Sequence, residues 1–230
     1  MNPGDLLLAL DTATTTAVLA IGDARTGALV VADAWDVGHR HAEELLGHLD
    51  ALLASQGLAR PDVGAFAAIA VGTGPGAFTG MRVGIATAKG LARALEIPLV
   101  AVPTGAALRA ADGGAGPLYL PAGPADHYRV TADGIAEFRT GALPDPLEEG
   151  AVAVDLAGRA PAGALERGAR ARAALPAALC RLAAARLAAR ELADPALLVP
   201  QYVALPRGLR AAAAPDPETA VEVTWSPARP

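Results

Sequence analysis

The stretch Gly72-Thr73-Gly74-Pro75-Gly76-Ala77-Phe78-Thr79-Gly80-Met81-Arg82-Val83-Gly84 constrains the fold of this chain more than any other. An apolar run of strand length, Ala65 to Val71, leads into it, and a helical pattern from about Gly80 to Leu95 leads out. Glycines let the backbone turn tightly after a strand, so that the first N–H groups of the helix face whatever sits at the turn. A second apolar run, Ile97 to Val102, follows the helix. Strand, loop, helix and strand in this order form a crossover unit, which predicts that the two strands lie parallel.

Three readings of the loop compete. Gly72, Gly74 and Ala77 satisfy the dinucleotide pattern G-x-G-x-x-[GA], but that site also needs an acidic residue at the end of the next strand. Here that strand ends Ala101-Val102-Pro103-Thr104, without a carboxylate. A phosphate-cradling G-x-x-x-x-G-K-[ST] loop is absent, because Gly74 is followed five residues later by Thr79 and Gly76 by Met81. In the third reading the glycines serve packing. Gly80, Gly84, Ala88 and Ala92 recur every four residues and give one helix face with little side chain, which lets a neighbour approach closely. A second helix, expected over His41 to Gln56, carries a leucine stripe that includes Leu45, Leu49 and Leu52. Such a face buries either against its own domain or against a partner, a choice the sequence leaves open; the small-residue face and this stripe are read together as a surface for a partner protein. A bulky residue at Gly84 is then expected to abolish association and leave a folded monomer.

Upstream, Leu6–Leu10, Ala17–Ile21 and ALVVADAW read as three consecutive strands, an antiparallel start to a sheet. Downstream of Pro103, PLYLPA and HYRVTA read as a short hairpin and AVAVDL as one more strand. A helix is expected from Leu175 to Leu192 with Pro176 in its first turn, and a poorly ordered tail from Arg207. The result is a first lobe over residues 1–104, a reduced second lobe over 105–206 and a flexible tail over 207–230.

Composition removes several classes of function. The net charge is −5, with 9 basic against 18 acidic side chains up to residue 158 and 10 against 6 beyond it. An acidic main body argues against backbone-driven nucleic-acid binding, and the arginines at 167, 170, 172, 181, 186 and 190 read as a solvated helix face or, less often, as a surface for an acidic partner or RNA. Cys180 is the sole cysteine, so no internal disulfide forms, and MNPGD lacks the basic and apolar regions of a signal peptide. No apolar run reaches the span of about 20 residues that crosses a bilayer. These features are read as those of a cytoplasmic chain without a membrane partner. His41 and His48 share a helix face, but two histidines are too few for a metal site. No G-x-S-x-G nucleophile elbow occurs.

The segments LALDTATTTAVLAI, HAEELL, GTGPGAFTGMRVGIATAKGLA and IPLVAVPT resemble, in order and spacing, the TsaB (YeaZ) family over residues 6–108. PLYLPAGPADHYRV and the closing VPQYVALPR echo it more weakly. The resemblance implies an α/β fold of the actin, Hsc70 and sugar-kinase class with ribonuclease-H-like lobes. It implies a non-catalytic, cofactor-free subunit of the machinery that makes threonylcarbamoyladenosine at position 37 of tRNA. Such a subunit pairs with the catalytic subunit TsaD and the ATPase TsaE, can form a homodimer, and meets tRNA only through the complex. TsaD, a paralogue, carries a metal-binding H-x-x-x-H pair after the strand that corresponds to IPLVAV, whereas Pro103 to Arg109 here contain no histidine. The resemblance also implies that Gly72, Gly74, Pro75, Gly76, Phe78, Thr79 and Arg82 shape the loop. Asp11 and Thr12 sit where kinases of this fold place a phosphate-binding turn, and here Asp11 is read as capping its own strand turn. The alternative is a small ATP-dependent phosphotransferase or phosphatase using Asp11.

Overall fold

In the computed structural model, β1 (Leu6–Asp11) is buried along its whole length, because its two faces serve two different cores. Leu6, Leu8 and Leu10 point to one cluster, and Leu7 and Ala9 to another. The two-residue period of a strand thus divides one apolar run between both sides of a sheet. The structure describes residues 4–37, 41–58, 63–113, 116–131 and 133–203.

β1 pairs antiparallel with β2 (Thr16–Asp23), and β2 pairs antiparallel with β3 (Leu29–Asp36). On its other side β1 pairs parallel with β4 (Phe66–Gly72), which pairs parallel with β5 (Leu99–Val102). The order is β3-β2-β1-β4-β5. Helices α1 (His41–Ser55) and α2 (Phe78–Leu95) cover one face, as the crossover pattern predicts. After β5 comes α3 (Thr104–Asp112), which the weak apolar pattern there did not announce. A second sheet follows, of β6 (Leu118–Pro121), β7 (His127–Val130), β8 (Ala136–Arg139) and β9 (Val152–Ala153), in the order β8-β7-β6-β9. β6 and β7 form the expected hairpin, whereas β8 was not anticipated and β9 is only two residues long.

The last helix departs from expectation by identifiable physics. The last helix, α4, runs from Ala162 to Ala188, starts 13 residues before Leu175 and holds Pro176 inside it. Proline in a helix interior costs free energy, but here tertiary burial of Leu175, Leu179, Cys180 and Ala183 outweighs it. The expected tail from Arg207 lies outside the described residues. α4 packs on the face of the first sheet opposite α1 and α2, so one core joins Leu7, Ala9, Leu118, Leu120 and Leu179 across both sheets. Among the described residues no helix is long and apolar enough to cross a membrane.

The larger correction concerns the contact strip. Gly80, Gly84, Ala88 and Ala92 are all buried, and Ala88 and Ala92 join Leu45, Leu49 and Leu52 in the core that also holds Leu8, Leu10 and Ile69. A Cβ added to Gly84 would come under 3.0 Å from Thr12 Oγ1. The small residues bring α2 down onto β1 of the same chain, and the leucine stripe fills the gap beside it. None of these seven residues is free to meet a partner. The solvent side of the same helices is occupied by Leu46, Gly47, Ala51 and Ala54 on α1 and Arg82, Ala86, Gly90 and Ala94 on α2.

Candidate functional site

The glycine-rich loop leaves the C-terminal end of β4 and meets the β1–β2 turn there. Asp11 closes β1, is fully buried and accepts two hydrogen bonds. The Ala13 N–H donates to its Oδ1 at 2.8 Å, and the Thr104 hydroxyl at the start of α3 donates to Oδ2 at 2.7 Å. Burial lifts the Asp11 carboxyl from 3.8 to about 6, against the lowering pull of those two bonds. The Thr104 oxygen in turn accepts the Gly74 N–H at 2.9 Å, and the Thr12 hydroxyl donates to the Gly80 carbonyl at 2.7 Å. Asp11 and Thr12 therefore bind the turn, the loop, α2 and α3 to one another. The strand-turn capping read from the sequence is present, with a second bond from Thr104 that the sequence reading missed.

Close approach accounts for two of the loop glycines and backbone conformation for a third. A Cβ at Gly72 would strike the Asp11 carboxylate, and one at Gly76 would strike the Ala13 carbonyl. Gly74 has φ +102°, a region that side chains rarely adopt. Pro75 is buried beside them, while Phe78 and Thr79 turn outward at the start of α2. The glycines thus let the loop pass close against the β1–β2 turn.

Phe78 and Arg82 form an exposed cluster with Tyr202, which arrives from 120 residues downstream of Arg82. The Arg82 guanidinium lies over the Phe78 ring at 3.9 Å from its centroid, and Arg82 Nε donates to the Tyr202 hydroxyl at 3.0 Å. The two rings are 5.4 Å apart. Phe78 is 38% and Tyr202 42% exposed. The Gln201 N–H, donating to the Thr73 carbonyl at 2.8 Å, brings this segment back over the loop. Its only signal in the sequence was VPQYVALPR, the weaker of the matched segments.

The remaining predicted positions are spread out. His48 is not simply solvated: its ring stacks on Trp35 at 3.7 Å, and its Nδ1 lies 2.6 Å from Asp33 Oδ2. His39 and the side chain of His41 lie outside the described residues. His127 is buried, with Nδ1 3.1 Å from the Gly141 carbonyl. Among the described residues no three His, Cys, Asp or Glu side chains gather as metal ligands. Thr104, in the stretch Pro103 to Arg109 that contains no histidine, donates its hydroxyl to Asp11. The arginines of the last helix are not only a solvated face. Arg167, Arg181 and Arg186 donate to the carbonyls of Ala151, Ala110 and Ala101, and Arg172 pairs with Asp155.

Comparison with known proteins agrees with this architecture. A family model described as TsaD, tRNA N6-adenosine threonylcarbamoyltransferase, matches residues 36–145. The tRNA threonylcarbamoyladenosine biosynthesis protein TsaB of Escherichia coli is 36% identical over 98 residues, 43% of this chain and 40% of its own. TsaB of Haemophilus influenzae is 40% identical over 62 residues, 27% of this chain and 25% of its own. The matches thus span well under half of those curated relatives. YeaZ from Pseudomonas aeruginosa superimposes with a TM-score of 0.60 at 26% identity, covering 86% of this chain and 99% of that structure. A second Pseudomonas aeruginosa structure, of a protein with similarity to peptidase YEAZ, gives 0.64 at 25% identity, with 87% and 100% covered. The two-sheet arrangement is that of the actin, Hsc70 and sugar-kinase class.

Proposed function

We propose that the chain is a TsaB/YeaZ-type protein, a non-catalytic subunit of the machinery that makes N6-threonylcarbamoyladenosine in tRNA, a reading supported by its similarity to part of the curated TsaB proteins and to the YeaZ structures. In this reading it docks on the catalytic subunit TsaD and works in the cytoplasm beside the ATPase TsaE, and tRNA is met through the complex. The observation that carries it is the direction in which the polar groups of the loop and turn point. Asp11 and Thr12, which sit where kinases of this fold place a phosphate-binding turn, direct their polar groups into the protein: Asp11 accepts from the Ala13 N–H and the Thr104 hydroxyl, and Thr12 donates to the Gly80 carbonyl. A fully buried carboxylate with two internal donors is a poor support for Mg²⁺ or a phosphate.

The partner surface in this proposal is the outer side of α1 and α2, centred on Phe78, Arg82 and Tyr202. Aromatic residues and arginine dominate binding energy at protein interfaces, and here the two rings and the tyrosine hydroxyl hold the guanidinium in place. On the same helices Leu46 is 51% exposed, and the exposed Ala86, Gly90 and Ala94 leave room for close approach. The test is titration of labelled TsaD with the Arg82→Ala and Phe78→Ala chains. A central anchor lost to alanine weakens binding by about 30-fold or more. Unchanged affinity in both variants would refute the docking site. Micromolar ATP–Mg²⁺ binding that disappears in Asp11→Ala would refute the non-catalytic role.

A further inference from the structure

Asp155, just after β9, has φ +58°, a left-handed conformation uncommon outside glycine, which persists only where the surroundings hold it. Its side chain is 5% exposed and meets the β1–β2 turn of the other sheet. The Thr15 N–H donates to Oδ2 at 2.8 Å, and the Thr15 hydroxyl donates to Oδ1 at 2.7 Å. Arg172 Nη1, from α4, donates to the same Oδ1 at 2.8 Å. A backbone N–H, a hydroxyl and a guanidinium converging on one point make a donor set for a small oxyanion, a phosphate or a carboxylate.

We infer that Thr15 and Arg172 form an oxyanion site which the chain fills with its own Asp155 carboxylate, so that an internal anion fastens the second sheet to the β1–β2 turn and keeps free oxyanions out. The site lies apart from the buried Asp11 cluster, since the Ala13 N–H of the same turn goes to Asp11 and only Thr15 faces Asp155. It shares no residue with the surface around Arg82, so it stands or falls independently of the docking proposal. Removing the carboxylate should leave three donors that an added anion can satisfy.

The experiment uses the full chain with Asp155→Gly, since glycine adopts the left-handed conformation freely and deletes the carboxylate. Thermal unfolding is followed in inorganic phosphate, in formate and in chloride at equal ionic strength. The variant should melt below the wild type in chloride. Phosphate or formate at ten times its dissociation constant should raise the variant's Tm by about 3–5 °C. The wild type should respond to phosphate no more than to chloride. Adding Arg172→Ala to the variant should abolish the rescue. Asp155→Asn, which fills the space without charge, should show no phosphate response. Equal anion responses in wild type and Asp155→Gly, or a rescue that survives loss of Arg172, would overturn the assignment. So would an Asp155→Asn chain that responds as strongly as the glycine variant.

Discussion

Two glycine-to-alanine substitutions on α2, six residues apart, should change stability in opposite directions. At Gly84 the new methyl would come under 3.0 Å from Thr12 Oγ1, and Thr12 is itself 1% exposed with its hydroxyl on the Gly80 carbonyl at 2.7 Å. The hydroxyl has nowhere to swing: α2 must lift from β1, or the buried hydrogen bond must break. Overpacking a core costs about 1–3 kcal/mol, and an orphaned buried polar group about the same again. Alanine returns about 1 kcal/mol in helix propensity, so Gly84→Ala should lose about 3 kcal/mol net. At Gly90 an added Cβ meets nothing within 4 Å. There only the propensity gain remains, about 0.5–1 kcal/mol. Urea unfolding at pH 7 should show this gap, and Tm should fall by about 6–12 °C for Gly84→Ala and rise by about 2 °C for Gly90→Ala. If Gly84→Ala matches the wild type, the strip is not sealed against β1 and the packing argument is wrong. A loss of more than about 1 kcal/mol at Gly90 would equally refute the assignment of the open face.

Asp11 predicts a pH dependence. Its folded-state value is raised from 3.8 to about 6, so its contribution is fully present below the unfolded value and is lost as pH rises through about 6. The stability of wild type relative to Asp11→Asn should therefore fall by about 3 kcal/mol between pH 3 and pH 8, and a flat difference in urea unfolding would refute the buried assignment. Glu148 is held down at about 2 by hydrogen bonds from Arg129 first and then from Tyr119. Glu148→Ala should speed amide exchange over residues 141–151 by about tenfold, with little change in Tm because the pair is partly solvated. Unchanged exchange would show that the pair does not hold that loop.

The first sheet was legible because its elements are local in sequence. Three apolar runs with polar turns, and a strand–loop–helix–strand unit, specify their own pairing through period and chirality, whereas the parallel β1–β4 pairing that joins the two units carried no local signal. The second sheet was less so: β8 has only the short AEFR run, and α3 only nine residues without a strong apolar stripe. The start of α4 was misplaced because a proline was taken as a boundary, when the buried side chains around Pro176 decide otherwise. In the site, Asp11 was found through its motif, but its partner Thr104 lies 93 residues away and carries no signal of its own. Asp155 was hidden in AVAVDL, which reads as a strand. Tyr202 was visible only as part of a weakly matched segment.

The misread strip has a more general cause. Periodicity identifies a helix face but not the direction in which that face points, and the direction is normally given by contrast between apolar and polar sides. α2 offers little contrast: Gly80, Gly84, Ala88 and Ala92 lie on one side, and Ala86, Gly90 and Ala94 on another. The bulky residues nearest each side break the tie. Met81 and Ile85 are adjacent to the first set and apolar, so that side goes to the core. Arg82 and Arg93 flank the second set and are charged, so that side goes to water. A buried small residue sets how closely two elements of the same chain approach, whereas an exposed one sets how closely another protein can. For this chain, the search for the partner surface therefore passes from Gly84 to Arg82, two residues away and on the other side of the helix.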